Sequence, residues 1–252
     1  MRLVIVNIMI FLVLKLLWLF SPAVVEEMVG VLTLPAAWAN AVKVPWTLLT
    51  YSFVHVDFWH LLINCLWLAW FGTLLKEIAG TRWVLTNFFA GAIAGALCFI
   101  AGSAVYAPQS NASLIGASAA VFAVVSATMI SAPSKRVKLA YIGSFSLRAI
   151  AAVGMALFFL ASLEMAPSQT AAHVGGIAVG VVASLVWRRY TRRHIASMKS
   201  VAKTRLEHLS LVEKVNRNGY SSLTREEQLR LFNLTTARSA TSKKENKCNN
   251  SK

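Results

Sequence analysis

The chain is 252 residues long, 57% apolar and only 14% charged, whereas a soluble domain of this size carries about a quarter charged residues. That balance excludes a water-soluble enzyme, a disordered chain, a collagen-like repeat and a small disulfide-stapled secreted fold, and it fits an integral membrane protein. The net charge of +15 is uneven: residues 1–187 hold nine Lys/Arg against five Asp/Glu, residues 188–252 sixteen against five, so a nearly neutral body precedes a basic tail.

Six apolar stretches succeed one another at about 3–20, 58–75, 83–105, 116–132, 147–163 and 172–187. Each is close to the roughly 20 residues that a bilayer core requires. The expected fold class is therefore all-α, a polytopic six-transmembrane-helix bundle over residues 1–187. The first stretch has a signal peptide as its alternative, but it is long for one, Lys15 interrupts it and no small-x-small site follows closely. Lys15 reads as a snorkelling or bundle-facing side chain. The fourth and sixth stretches are short, which leaves room for water or irregular backbone at one end. Residues 137–146, broken by Gly143 and Ser144, are expected along the interface rather than across it. Gly91 and Gly95 read as helix-contact residues. Cys65, Cys98 and Cys248 lack metal-ligand spacing, and the first two lie in apolar runs as packing residues.

Basic residues orient the bundle. Arg2, Lys76, Arg82, Lys135, Arg136, Lys138 and the cluster Arg188, Arg189, Arg192 and Arg193 all fall on one side, while the connections 21–57, 106–115 and 164–171 hold only Lys43. By the positive-inside rule both termini are cytoplasmic. With no organelle presequence ahead of the first stretch, a bacterial inner membrane is the expected location. Tail residues 188–252 are expected to meet anionic lipid headgroups rather than nucleic acid, because they follow directly on an apolar run. Within the tail, Leu206, Leu209, Val212 and Val215 form a stripe over 201–218, Gly219 is a helix stop, and Thr224 with Glu227 opens a second helix through Leu234. The last dozen residues are expected to be disordered.

Polar side chains inside a bilayer are costly unless paired or functional. His55, His60 and His173 sit at or near outer ends of spans, and Ser118 opens the fourth. His60 lies 16 residues from Lys76, Ser118 17 from Lys135 and His173 15 from Arg188, heights of roughly 22–26 Å above the inner anchors. All three therefore share one layer several Å beneath the outer surface of a core about 30 Å thick. Ser118 is flanked by Gly116, Ala117, Ala119 and Ala120, and the polar run Gln109, Ser110, Asn111, Ala112, Ser113 precedes it. Gly176 and Gly180 clear one face of the sixth helix for close contact, which would bring His173 to Ser118. A Ser–His pair is the minimum for an activated alkoxide. His60 and Asn64, four apart on one helical face, would supply donors to an oxyanion.

Jointly, Gly116-x-Ser118, His60-x-x-x-Asn64 with His55 five residues ahead, and Ala172-His173-x-x-Gly176-x-x-x-Gly180 resemble rhomboid intramembrane serine proteases of bacterial type, over about residues 1–187. The resemblance implies a dyad without a catalytic Asp: Ser118 as nucleophile, His173 as general base and then acid. It implies an oxyanion hole from the Ser118 amide, His60 and Asn64, a structural His55, no cofactor or metal, and membrane-protein substrates cleaved near the outer ends of transmembrane segments. Two positions depart from the family. Its outer-loop Trp-Arg pair is Trp46-Thr47 here, and a common Tyr four residues after the nucleophile is Phe122, whose ring can still pack on His173. The tail is similar to short helical extensions of some bacterial members.

Three other functions compete. A catalytically silent binder of transmembrane segments would be marked by loss of Ser118 or His173, and both are present. A metal or haem protein would use His55, His60 and His173, but no His-Glu-x-x-His pattern occurs and only Asp57 supplies a nearby carboxylate. A transporter would show an inverted repeat or matching interrupted spans, and none is visible. Glu164 reads as a solvated loop charge rather than a third triad member.

Overall fold

The computed structural model describes residues 2–108, 111–132, 134–139, 143–161 and 166–235. Gln109, Ser110, Glu164 and the tail beyond 235 lie outside the described residues. The chain divides into two compact units, Met1–Arg188 and Arg189–Lys252.

The order of elements is α1 (Arg2–Phe20), α2 (Pro22–Leu32), a two-residue strand β1 (Leu34–Pro35), the single turns α3 (Trp38–Ala41) and α4 (Thr47–Thr50), then α5 (Phe58–Ala79) and α6 (Thr81–Tyr106). After these come β2 (Ser113–Leu114), α7 (Ser118–Ser131), β3 (Arg136–Leu139), β4 (Gly143–Ser146), α8 (Leu147–Ala161) and α9 (Pro167–Asn218). A last helix, α10, occupies 225–235. The fold is all-α, as expected. Among the described residues α1, α5, α6 and α9 are long and apolar enough to cross a membrane, and α7 and α8 are shorter apolar helices.

Local chemistry sets the ends. The Asp57 carboxylate caps α5 by accepting the His60 N–H at 2.9 Å. Gly80, at φ +88°, stops α5 with its N–H on the Lys76 carbonyl and lets α6 start at once. β3 and β4 pair antiparallel, with Arg136 opposite Ser146 and Leu139 opposite Gly143.

The connection 21–57 is more ordered than its sequence suggests. Pro22 fits the first turn of α2, where its missing N–H is not needed. The Trp46 indole N–H donates to the Val31 carbonyl at 2.9 Å and the Thr50 hydroxyl to Leu32 at 2.7 Å. β1 pairs antiparallel with β2, Leu34 opposite Leu114, which ties this connection to the segment that leads into α7.

α7 is the centre of the first unit. Every residue from Ser118 to Thr128 is buried, packed among α5, α6 and α9 with Phe71, Phe88 and Phe99 fully enclosed nearby. Its contact with α9 is backbone to backbone. A Cβ on Gly176 would run into the Ala119 carbonyl, and one on Gly180 into the Ala123 carbonyl and the Ser126 hydroxyl. Hydroxyls close the seam: Ser126 reaches the Ile177 carbonyl at 3.2 Å and Ser184 the Ala127 carbonyl at 3.3 Å.

In the second unit the stripe at 201–218 belongs to α9, because no Gly or Pro interrupts the chain between Gly180 and Gly219 and the intervening Arg and Lys are good helix formers. Gly219, at φ +80°, ends the helix. The Thr224 hydroxyl accepts the Glu227 N–H at 3.3 Å while the Glu227 carboxylate accepts the Thr224 N–H at 2.8 Å, a complete capping box. Lys214 and this capping-box hydrogen bond hold the Glu227 carboxyl below its ordinary range.

Two glycine substitutions should behave oppositely. Gly176→Ala is expected to separate α7 from α9 and lower the thermal midpoint in detergent, by the equivalent of about 1–3 kcal/mol of overpacking. Gly30→Ala in α2, where an added methyl meets nothing within 4 Å, should leave the midpoint unchanged or raise it by about 0.5–1 kcal/mol.

Candidate active site

The turn into α7 places the candidate nucleophile. Gly116 sits at φ +96°, and an added Cβ would collide with the His60 ring, so only glycine satisfies both the turn and the approach. Its N–H donates to the Tyr51 carbonyl at 3.0 Å. Ala117 is the N-cap residue and no side chain caps the helix. The first helical bond runs from the Val121 N–H to the Ala117 carbonyl, so the N–H groups of Ser118, Ala119 and Ala120 have no intrahelical partner. They place the positive end of the helix dipole beside the Ser118 side chain.

Ser118 Oγ lies 2.8 Å from His173 Nε2, across 55 residues of chain. Both side chains are buried, at 5% and 3% exposure, so the pair is drawn together in a medium where each needs a partner. Two rings hold the imidazole edge-on: Phe122 at 5.3 Å and 85°, and Phe158 at 5.1 Å and 84°. Phe122 is one turn after Ser118 and so on the same helical face. Phe158 comes from α8, and nothing in its apolar run singles it out in the sequence.

Asn64 is buried and shares a small cavity with Ser118, Trp67, Phe122 and Phe158. One of its amide protons is donated to the His60 carbonyl of its own helix at 2.9 Å. The other proton of that nitrogen is the one an oxyanion would take. His60 packs between Gly116 and His55, whose ring centroid is 5.0 Å away at 70°.

His55 is fully buried in the connection ahead of α5. Its Nε2 accepts the Ala117 N–H at 3.2 Å, which fixes the neutral tautomer with the proton on Nδ1. His55 thereby holds the residue immediately before Ser118, as a structural histidine would. Burial chiefly, with the neighbouring His60 ring second, pushes its pKa down to about 4 against a Phe53 carbonyl that pulls the other way. Trp46 and Thr47 take the place of the family's Trp-Arg pair. The Thr47 hydroxyl is spent on the Val44 carbonyl at 2.6 Å, and Trp46 and Thr50 anchor the loop on α2 instead. Tyr51, which the sequence did not single out, joins this framework by donating its hydroxyl to the Ala92 carbonyl at 2.8 Å. Among the described residues no group of three or more His, Cys, Asp or Glu is placed to hold a metal ion.

The neutral His55 makes stability pH-dependent with a definite sign. In the unfolded chain its imidazole takes a proton near 6.5, in the folded one not until about 4. Its contribution is complete above the first value and is lost as pH falls towards the second. The thermal midpoint should therefore drop between pH 7 and pH 5, and drop less in His55→Gln, which keeps an acceptor without a titrating group.

Comparison with known proteins bears on the same residues. The Rhomboid domain matches residues 43–190, more than half of the chain. Over 157 residues, 57% of the chain, the sequence is 26% identical to Rhomboid-like protein 17, chloroplastic, of Arabidopsis thaliana. Over 59 residues, 23% of the chain, it is 36% identical to Rhomboid-like protein 16, chloroplastic, of the same plant. These stretches span 49% and 18% of the two relatives, so the chain covers about half of one and under a fifth of the other. The domain match takes in Ser118 and His173, His55, His60 and Asn64, the turn at Gly116, Phe122 and both close-contact glycines of α9, and by it this multi-pass membrane chain belongs to the rhomboid family.

Proposed function

We propose that the chain is an intramembrane serine endopeptidase that cleaves transmembrane segments of other membrane proteins through Ser118 and His173. The observation that carries this reading is the 2.8 Å approach of hydroxyl and imidazole at the start of a buried helix. His173 Nε2 takes the hydroxyl proton as Ser118 Oγ attacks the scissile carbonyl. Charge on the tetrahedral oxygen is met by the free first-turn N–H of Ser118, with His60 and Asn64 as side-chain donors. The imidazolium then gives its proton to the leaving amine, the C–N bond breaks and an acyl-Ser118 ester remains. A water, deprotonated by the same Nε2, hydrolyses that ester and restores the hydroxyl. No carboxylate is invoked to orient the imidazole; the Phe122 and Phe158 rings do so by packing.

Substrates reach this site through the bilayer, as single-pass or polytopic proteins, and a scissile segment with small or helix-weakening residues is the easiest to present extended. The asymmetry of basic residues supports an orientation with both termini cytoplasmic in a bacterial inner membrane; the names of the two relatives assign chloroplasts to those proteins. The basic tail, 188–252, is proposed to meet anionic headgroups. The competing reading, a silent binder of transmembrane segments, retains the Ser118–His173 bond as packing alone.

A serine-directed fluorophosphonate probe separates the two. The wild type is expected to label, Ser118→Ala not at all, and His173→Ala far more slowly. Cleavage of a transmembrane substrate in proteoliposomes should fall by about 10⁶-fold in kcat in either dyad variant, and by about 10²–10³-fold in kcat for Asn64→Ala. Equal labelling of the wild type and Ser118→Ala would exclude the protease and leave the binder.

A further inference from the structure

A cavity of about 550 Å³ opens between α1, α5 and α6, within the 300–1,000 Å³ range of small-ligand sites. It lies at the opposite end of the bundle from the dyad: Lys76, at its mouth, is 16 residues after His60 on α5, roughly 24 Å along the helix. Two cations line it, Arg2 from the start of α1 and Lys76 from the last turn of α5, and no carboxylate does. Glu77, the acidic neighbour in sequence, is engaged elsewhere, its carboxylate 3.1 Å from the Lys135 ammonium. Neither Arg2 nor Lys76 forms an ion pair among the described residues. Thr81, the first residue of α6, also lines the cavity.

The walls change character with depth. Leu68 and Val84 line the cavity with the cations, and Leu68 is eight residues from Lys76 on the same helix, roughly 12 Å deeper. A free anion would use the mouth and leave these apolar walls against nothing. A molecule with an anionic head and an alkyl chain uses both. We propose that this cavity is a binding site for an anionic glycerophospholipid, its phosphate between Arg2 and Lys76 and one acyl chain along Leu68 and Val84. None of its lining residues belongs to the basic tail, and the proposal is independent of the protease reading. α1 is the least enclosed of the long apolar helices, with Asn7, Phe11 and Leu14 its buried residues. A lipid seated here would tie its first turn to α5 and α6, so occupancy should raise stability by ordinary linkage.

The full chain, purified in detergent and stripped of lipid, is titrated with phosphatidylglycerol or phosphatidylcholine of the same chain length, and bound lipid is read by native mass spectrometry together with the thermal midpoint. Phosphatidylglycerol is expected to bind about 30-fold more tightly, because its headgroup is net anionic beside two cations whereas the choline of phosphatidylcholine cancels the phosphate charge, and to raise the midpoint. Arg2→Gln with Lys76→Gln should abolish that preference. Gly72→Leu, at a position where a Cβ fits but the added branch enters the cavity, should weaken both lipids without changing charge. Arg192→Gln with Arg193→Gln, which removes two tail cations instead, should leave the tight component intact. A cooperative thermal transition and a monodisperse size-exclusion profile in detergent serve as the folding control; a variant that loses either is replaced by its single substitutions. Equal affinity for the two lipids, an unaltered preference in the Arg2/Lys76 variant, or full displacement of the lipid by millimolar inorganic phosphate would each overturn the proposal, the last by reducing the cavity to a simple anion site.

Discussion

Everything at the candidate site depends on α7 and α9 meeting without side chains between them. Where Gly176 and Gly180 face Ala119 and Ala123, the two backbones approach so closely that no Cβ fits. That contact turns a pair of residues 55 positions apart into a 2.8 Å hydrogen bond. Two polar groups buried in an apolar bundle would each lose free energy if left unpaired, so the seam and the pair reinforce one another. The small residues supply proximity, and the polar pair fixes which rotation of the helices is acceptable. The Ser126 and Ser184 hydroxyls repeat the arrangement farther along the seam, each donating to a carbonyl of α7 or α9.

A second constraint acts on the end of α7. The Gly116 N–H goes to Tyr51 and the Ala117 N–H to His55, both from the connection 21–57, so the two residues before Ser118 are held from outside the helix. The first-turn N–H groups that follow are left for whatever enters the site. One segment is thus satisfied by its own fold up to Ala117 and becomes available at Ser118. Gly95 extends the framework on the other side, since its missing Cβ makes room for the Tyr51 hydroxyl and the Ala172 carbonyl next to His173.

Much of this was legible in the sequence because membrane burial makes polar residues conspicuous. Ser118, His173, His60 and Asn64 stand out against apolar runs, and one rise per residue was enough to put Ser118, His173 and His60 in a layer, with Asn64 on the same helical face as His60. The close-contact glycines were readable for the same reason. Three features were not. Phe158 is one aromatic among many in an apolar helix, and its place against His173 depends on how α8 packs. The framework role of Tyr51 depends on a contact with Ala92, 41 residues away, which no local pattern encodes. The order of residues 21–57 comes from single hydrogen bonds such as Trp46 to Val31, in a stretch whose composition resembles any loop. α9 separates two boundaries that sequence patterning runs together: the arginine cluster ends the apolar run but not the helix, because arginine favours helix and nothing there breaks one.

The depth of the site follows from the length of its helix. α7 has 14 residues, a rise of roughly 21 Å, some 9 Å short of a hydrocarbon core of about 30 Å. A helix facing lipid could not end there, because its first-turn N–H groups would sit in hydrocarbon without partners. α7 can, since protein surrounds it on every side and the missing length is filled by irregular chain: the turn at Gly116, the β1–β2 pair, and the buried His55. That filling brings backbone carbonyls, imidazoles and a hydroxyl to a level where bilayer alone would admit none. The shortness of α7 and the polarity of the site are therefore one feature seen twice. A mutation that extended the helix by a turn past Ala117 would consume the very N–H groups the site exposes, and would remove the pocket of polar chemistry without touching Ser118 or His173.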